Sequence, residues 1–325
     1  MNRIFIVILA FLALMSCGKE KSKNGRLLSS SSGNINSLSV VVDNLLWENN
    51  VGEAIREVIA APVEGLSIDE PLFSINQMPP QVFSDFTTKS RIILLIKKGE
   101  SPNTVIRKDV YAKPQTLVLI TGNTDGEIIN QLKNNADKIV DAYKKEEVKE
   151  QQRRISLSLF DIEPIKNNLG ISIKFPTAYR IAKQEEDFFW IRKDIRNGTM
   201  DLMLYELPLD RIHLNDSVVK DIIRMRDSIG HQHIEGPLEG SYMITDEGYA
   251  PYKFDGTLDG HLVVITKGLW DVKNAFMSGP FVNYLIEDRE QKRYLVAEGY
   301  VYAPSVDKRD NMFELESIIK SIKFN

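Results

Sequence analysis

Apolar residues fall along this chain in three rhythms. The first is one unbroken run, Ile4 to Leu14, behind Arg3 and ahead of Leu14-Met15-Ser16-Cys17. The second is strand-like. Arg91 to Lys97 predicts a buried strand by its continuous apolar run, Thr116 to Ile120 another apolar strand, Leu38 to Val42 a short β-branched strand, and Leu72 to Ile75 a short one. Thr104 to Tyr111 alternates with mixed faces and predicts an exposed or edge strand. The third is helical. It predicts helices over Trp47 to Ala61 and, briefly, around Val82, Phe83 and Phe86. The longest helix is predicted from Asp125 to about Arg154, with Thr124 or Asp125 as its cap. Beyond Tyr143 that helix reads KKEEVKEQQRR, the pattern of a solvated face.

The pattern restarts after residue 155. Gly170 to Pro176, Tyr179 to Ile181, Phe188 to Ile191 and Leu202 to Leu207 predict strands at hairpin spacing. Ser217 to Ile229 predicts a helix. Strands follow near Tyr242 to Thr245, His261 to Thr266, Phe281 to Glu287 and Arg293 to Tyr302. A last helix carries Phe313, Leu315, Ile318, Ile319 and Ile322 on one side, with Asp310 as its expected cap. The class this predicts is α+β: antiparallel sheets with helices packed on one face, in two αβ units. The expected division is a signal peptide over 1–16, a flexible tether over 17–36, an N-terminal unit with a long connecting helix over 37–155, and a C-terminal unit over 156–325. The tether expectation rests on a polar, serine-rich stretch that can bury no core.

The opening run changes the picture most. It is too short to span a bilayer, which takes roughly 20 residues. A basic front, an apolar middle and small residues before the cut mark a secretory signal. Cys17 is the chain's only cysteine and stands where lipoprotein processing needs a thiol, so it is the expected site of lipidation by acyl chains such as palmitate. Modification there leaves no thiol for disulfides, zinc sites or nucleophilic catalysis. The net charge of −4 is well mixed, without the basic stripe of a nucleic-acid binder.

Candidate chemistry is sparse. His231-Gln232-His233 could share a metal only in an extended segment, and at a helix end these residues complement the dipole instead. No Gly-x-Ser-x-Gly elbow and no phosphate loop is present, so no catalytic residue, metal site or cofactor is expected. The segment from Gly268 to Phe281 is the best candidate for a ligand or partner surface. It sets Trp270, Phe276, Met277, Pro280 and Phe281 among glycines, where rings supply contact area and glycine admits close approach. The alternative is that these rings are core.

Several stretches together resemble one family. They are Glu70-Pro71-Leu72-Phe73, Gly268-Leu269-Trp270, Met277-Ser278-Gly279-Pro280-Phe281, Glu298-Gly299-Tyr300-Val301-Tyr302-Ala303-Pro304 and Lys308-Arg309. The chain is similar in these to Bacteroidota lipoproteins grouped as domain of unknown function 4837. The Gly170-to-Pro176 opening and the closing Ile-Ile-Lys-Ser-Ile-Lys-Phe also resemble the ends of the Mog1/PsbP-like fold. The resemblance implies export and a two-part body, and brings no activity and no functional residues. The expected role is a non-enzymatic binding or assembly component of the cell envelope, held at the outer membrane through Cys17. Its expected partners are envelope proteins or a peptide or glycan ligand. The alternative is a hydrolase acting on envelope polymers.

Overall fold

The computed structural model describes residues 28–325. The signal peptide, Cys17 and the tether as far as residue 27 lie outside the described residues. Among the described residues no helix is long and apolar enough to cross a membrane.

The continuous apolar runs of the first half build one sheet from β2 (Ser37–Val41), β3 (Ser74–Met78), β4 (Ile92–Lys98), β5 (Asn103–Lys108) and β7 (Thr116–Gly122), in the order β3-β2-β4-β7-β5. Three of its four pairings are parallel, and only β5 on β7 is antiparallel. The expectation of an antiparallel sheet is corrected here. Runs such as Ile-Ile-Leu-Leu-Ile are apolar on both faces, as parallel strands covered on both sides are. β5 does lie at the edge. Leu38, Val40, Ile92, Leu94, Val118 and Ile120 face α2 (Asn50–Ile59), α3 (Asp125–Asn134) and α4 (Ala136–Ile155). The expected Trp47-to-Ala61 helix starts earlier, as α1 (Asn44–Trp47), and breaks before α2. The long helix also divides, at Asn135. Thr124 caps α3 through a box with Glu127, as the sequence suggested.

Two corrections concern polar stretches. The segment from Leu28 to Asn36 is not all tether. β1 (Ser29–Ser30) pairs with β6 (Ala112–Lys113). The Gly33 and Asn34 carbonyls accept from Arg91, and the buried Asn36 amide donates to Glu147 at 2.6 Å. The polar stretch of α4 is not solvated either. Glu146, Glu147 and Glu150 are buried because each has cationic partners. Arg91 holds Glu147 by two bonds, Lys108 and Thr116 hold Glu146, and Arg153 and Arg154 hold Glu150. Polarity predicts exposure only while a charge lacks a counter-charge in the fold.

Glu150 makes this junction acid-sensitive. The Arg153 hydrogen bond lowers its carboxyl most, burial opposes, and with Arg154 and the Arg91 charge it falls from 4.5 to about 2. Folding therefore favours the deprotonated form. The contribution is complete above about pH 4.5 and is lost as pH falls through about 2. The stability gap between the parent and Glu150→Gln is expected to hold in urea melts from pH 6 to about pH 4.5 and to shrink from there down to pH 2.

The second unit is α+β with an eight-stranded antiparallel sheet. Its strands are β9 (Arg180–Gln184), β10 (Phe188–Ile195), β11 (Gly198–Pro208), β12 (Tyr242–Thr245), β13 (Tyr252–Leu258), β14 (His261–Lys273), β15 (Ser278–Asp288) and β16 (Arg293–Tyr302). The order is β12-β14-β15-β16-β11-β10-β9, with β13 also on β14. Alternation along each strand produces two apolar faces, and a helix covers each. Met200, Leu202, Leu204, Val282 and Val301 face α7 (Arg309–Ile319) and α5 (Glu163–Leu169). Met203, Tyr205, Trp270, Leu285 and Val296 face α6 (Val218–His233). The expectation of helices on one face holds for the first sheet and is corrected for the second. β8 (Ile171–Ser172) pairs with β17 (Lys323–Phe324) beside the α7 face, so most of the expected Gly170-to-Pro176 strand is irregular, though Ile173 and Phe175 are buried in the core.

Candidate functional site

The segment from Gly268 to Phe281 is a hairpin, not an irregular connection. The end of β14 pairs with the start of β15 from Gly268–Phe281 to Asp271–Ser278. Trp270 is only 2% exposed. Its indole N–H donates to the Val301 carbonyl at 3.3 Å, and its ring meets Tyr300 edge-on at 5.6 Å. Phe281 is buried beneath the Arg226 guanidinium, 3.4 Å from its ring centroid. Pro280 is buried, Met277 half-buried, and Phe276 alone is fully exposed. The expected surface anchored on Trp270 is thereby corrected. Strand alternation turns these rings into core, and composition could not distinguish a packed ring from a groove-lining one.

Pro280 and Phe281 do border a different site, a cleft where the two units meet. Four parts of the first unit reach it: Asn36, the loop at Val63 to Leu66, Leu72, and Lys144 from α4. The second unit supplies Lys267 from β14 and Arg309, Phe313, Glu316 and Lys320 from α7 and its end. The open volume is about 70 Å³. Its polar centre is Glu316. Lys267 donates to one carboxylate oxygen at 3.0 Å, and the Tyr284 hydroxyl and Lys320 reach the other at 2.9 and 2.8 Å. Burial alone would raise the Glu316 carboxyl; Lys267 and Lys320 overcome this and hold it well below the usual range. Burial lowers the Lys144 ammonium first, and Lys267 lowers it further, against partial support from Glu316 and Glu64. Lys144 makes no hydrogen bond or ion pair with any described residue.

The cleft is positioned by contacts that hold the units together. Glu70, buried in the loop before β3, accepts from the backbone N–H groups of Lys308 and Arg309 at 2.7–3.0 Å. The first turn of α7 is thus capped from the other unit, not by Asp310 as expected. A carboxylate suits this place because the first amides of a helix lack intrahelical partners and carry positive dipole charge. The Arg309 guanidinium returns to the Pro71 carbonyl at 2.9 Å and Ser74 at 3.2 Å. Gln152 of α4 donates to the Ser317 carbonyl at 3.0 Å. At Gly65, with φ +84°, the loop runs so close to β14 that a Cβ would lie 2.9 Å from that of Lys267. Only glycine fits both that φ and that approach. Glu70→Ala is expected to cost about 1–3 kcal/mol through the unpaired buried amides, read as a lowered melting temperature.

A larger open groove of about 580 Å³ lies beside α6, between Phe188, Tyr205 and His233. His213 sits 3.3 Å from Asp221 at its rim. The helix continues through His231 and His233, which diverge. His231 meets the edge of Tyr242 and His233 stacks on Phe188 at 4.0 Å. Among the described residues no group of three or more His, Cys, Asp or Glu could hold a metal ion.

The chain thus has two units, each with its own sheet, that meet at a cationic cleft. The chain belongs to the family described as Domain of unknown function (DUF4837), whose model matches residues 158–321. This is the family that the motif stretches suggested. A second model, Domain of unknown function (DUF8532), matches residues 31–156. The chain is also similar to the Ran-binding protein Mog1p of Saccharomyces cerevisiae, at 10% identity and a TM-score of 0.33, over 48% of this chain and 90% of that one. A point mutant of Mog1 is similar at 9% identity and a TM-score of 0.27, over the same shares. No curated protein matches.

The charged residues of the cleft were missed in the sequence. Lys144 reads as one more lysine in a charged helix, and Glu316–Lys320 as an ordinary i,i+4 pair. Their signal would have been the pairing of the two halves, which no local pattern carries. The stretches behind the family resemblance came nearer: Glu70-Pro71, Pro280-Phe281 and Lys308-Arg309 all meet at or beside the cleft.

Proposed function

We propose that this is a lipid-anchored envelope protein that binds a ligand in the cleft between its two units and performs no chemistry of its own. The observation that carries the reading is the cleft itself. It draws on both units, it has an apolar lip of Leu66, Leu72 and Phe313, and four cationic side chains stand against two carboxylates. A binding site needs a concave surface with a few placed polar groups, and this one has both. Nucleophilic catalysis needs a nucleophile with a base in hydrogen-bond reach. Lys144 has no such neighbour, and Glu316 is held deprotonated by two lysines. The anchor rests on the apolar run ending at Cys17. Stable attachment takes more than one acyl chain, which lipoprotein processing supplies.

Two variants test the two halves of the proposal in cells. Cys17→Ser is expected to leave the membrane fraction or to stay unprocessed; normal cleavage with undiminished membrane binding contradicts the anchor. Benzoylphenylalanine placed at Phe313 is expected to give a photo-adduct in intact cells, and the same probe at exposed Leu157 is not. Equal yields at both positions, or none at 313, contradict the cleft.

A further inference from the structure

We infer that the cleft is an oxyanion site, which takes a phosphate or carboxylate group against Lys144, Lys267 and Lys320. The inference deepens the binding proposal above and rests on it. Three ammonium groups converge on a cavity of about 70 Å³, room for one such group and not for the body of a larger ligand. Like charges held this close repel, and each must have an anion nearby to stay charged at low cost. Glu316 serves two of them. Both its oxygens are engaged, one by Lys267 at 3.0 Å and one by Lys320 at 2.8 Å with the Tyr284 hydroxyl at 2.9 Å. Its charge also supports Lys144, but neither oxygen forms an ion pair with it.

The other charged groups at the cleft form no ion pair with Lys144 either. Arg309 is answered by Asp310 at 2.9 Å and by the Pro71 carbonyl. Glu64 lines the cleft but forms no hydrogen bond or ion pair with a described residue. Lys144 therefore stands as a half-buried cation that feels the charges of Glu316 and Glu64 but forms no ion pair of its own with a described residue. The flanking cations are lysines, and an ammonium is a point charge with rotatable donors. Such a set receives a tetrahedral phosphate or a planar carboxylate, because point charges impose no bidentate geometry on the anion. The apolar lip formed by Leu66, Leu72 and Phe313 lets the rest of a larger ligand lie outside the cavity. The same chemistry fits a free anion or the charged end of a lipid or peptide.

The full protein, purified in a neutral detergent, is melted in sodium phosphate, in sodium acetate and in sodium chloride at equal ionic strength. The same is done for Lys144→Gln and Lys144→Glu. Phosphate strengthens folding generally, so the reading is the excess over Lys144→Gln. The parent is expected to show that excess in phosphate or acetate, and titration calorimetry is expected to show at least tenfold weaker binding in Lys144→Gln. Lys144→Glu supplies the missing anion from within. It is expected to melt at or above the parent temperature in chloride and to lose the anion response. Equal responses in parent and Lys144→Gln overturn the oxyanion site, as does a Lys144→Glu protein that melts lower and still responds. If those results come with a retained photo-adduct at position 313, the oxyanion inference falls and the binding cleft stands. If the adduct is lost too, both fall. Vesicles of phosphatidylcholine with phosphatidic acid separate the sources: binding only to the vesicles assigns the anion to a headgroup, and response to free phosphate assigns it to the soluble ion.

Discussion

Glu298→Ala is expected to destabilise the second unit by about 3–5 kcal/mol, the usual cost of stripping one partner from a buried ion pair. Glu298 stands on β16 at the centre of the sheet and is fully buried. Arg226 of α6 reaches it with two parallel bonds of 2.8 Å, and Asn283 donates to it at 2.8 Å. Arg226 also donates to Thr245 and stacks on Phe281. Removing the carboxylate leaves a guanidinium with 1% exposure and no anion. The pair orients α6 on its sheet more than it adds net stability. The double variant Arg226→Met with Glu298→Leu is therefore expected to recover most of the loss in urea denaturation. A single variant that melts like the parent contradicts the geometry.

Trp270→Ala carries a comparable expected loss, about 3–5 kcal/mol, because it empties a large volume in a close-packed core. The indole packs between Tyr300 and Tyr302 and caps the Val301 carbonyl. A surface anchor behaves in the opposite way, with an unchanged melt and lost binding. Phe276→Ser, by contrast, is expected to leave the melting temperature within a degree or so of the parent, because the ring buries nothing. A melt unchanged in Trp270→Ala would return that residue to the surface.

What was legible in the sequence follows what is local. Apolar runs such as Arg91 to Lys97, and the spacing on the α6 and α7 faces, mark core strands and helices because burial on one face imposes a period. The α+β class follows from those periods. What was not legible depends on partners distant in sequence. The acidic run of α4 looked solvated, since Arg91 and Lys108 lie on other elements. The cap of α7 looked to be Asp310, yet Glu70 supplies it across 238 positions. β13 went unread, because Tyr252 and Phe254 alternate on an exposed edge without an apolar face to mark them. The cleft is the extreme case. Its lysines come from α4, β14 and the end of α7, and nothing near any of them in sequence shows that they meet.

The placement of the ligand site is tested most directly by amide hydrogen exchange on two preparations of one protein. One is purified gently from cells under native conditions; the other is unfolded, washed and refolded. Slower exchange is expected in the gently purified protein at residues 63–72, at the turns of α4 around Lys144, and at residues 309–320. Protection that falls instead on the α6 groove, at residues 205–213 and 221–233, or identical exchange in both preparations, would contradict a ligand site between the two units.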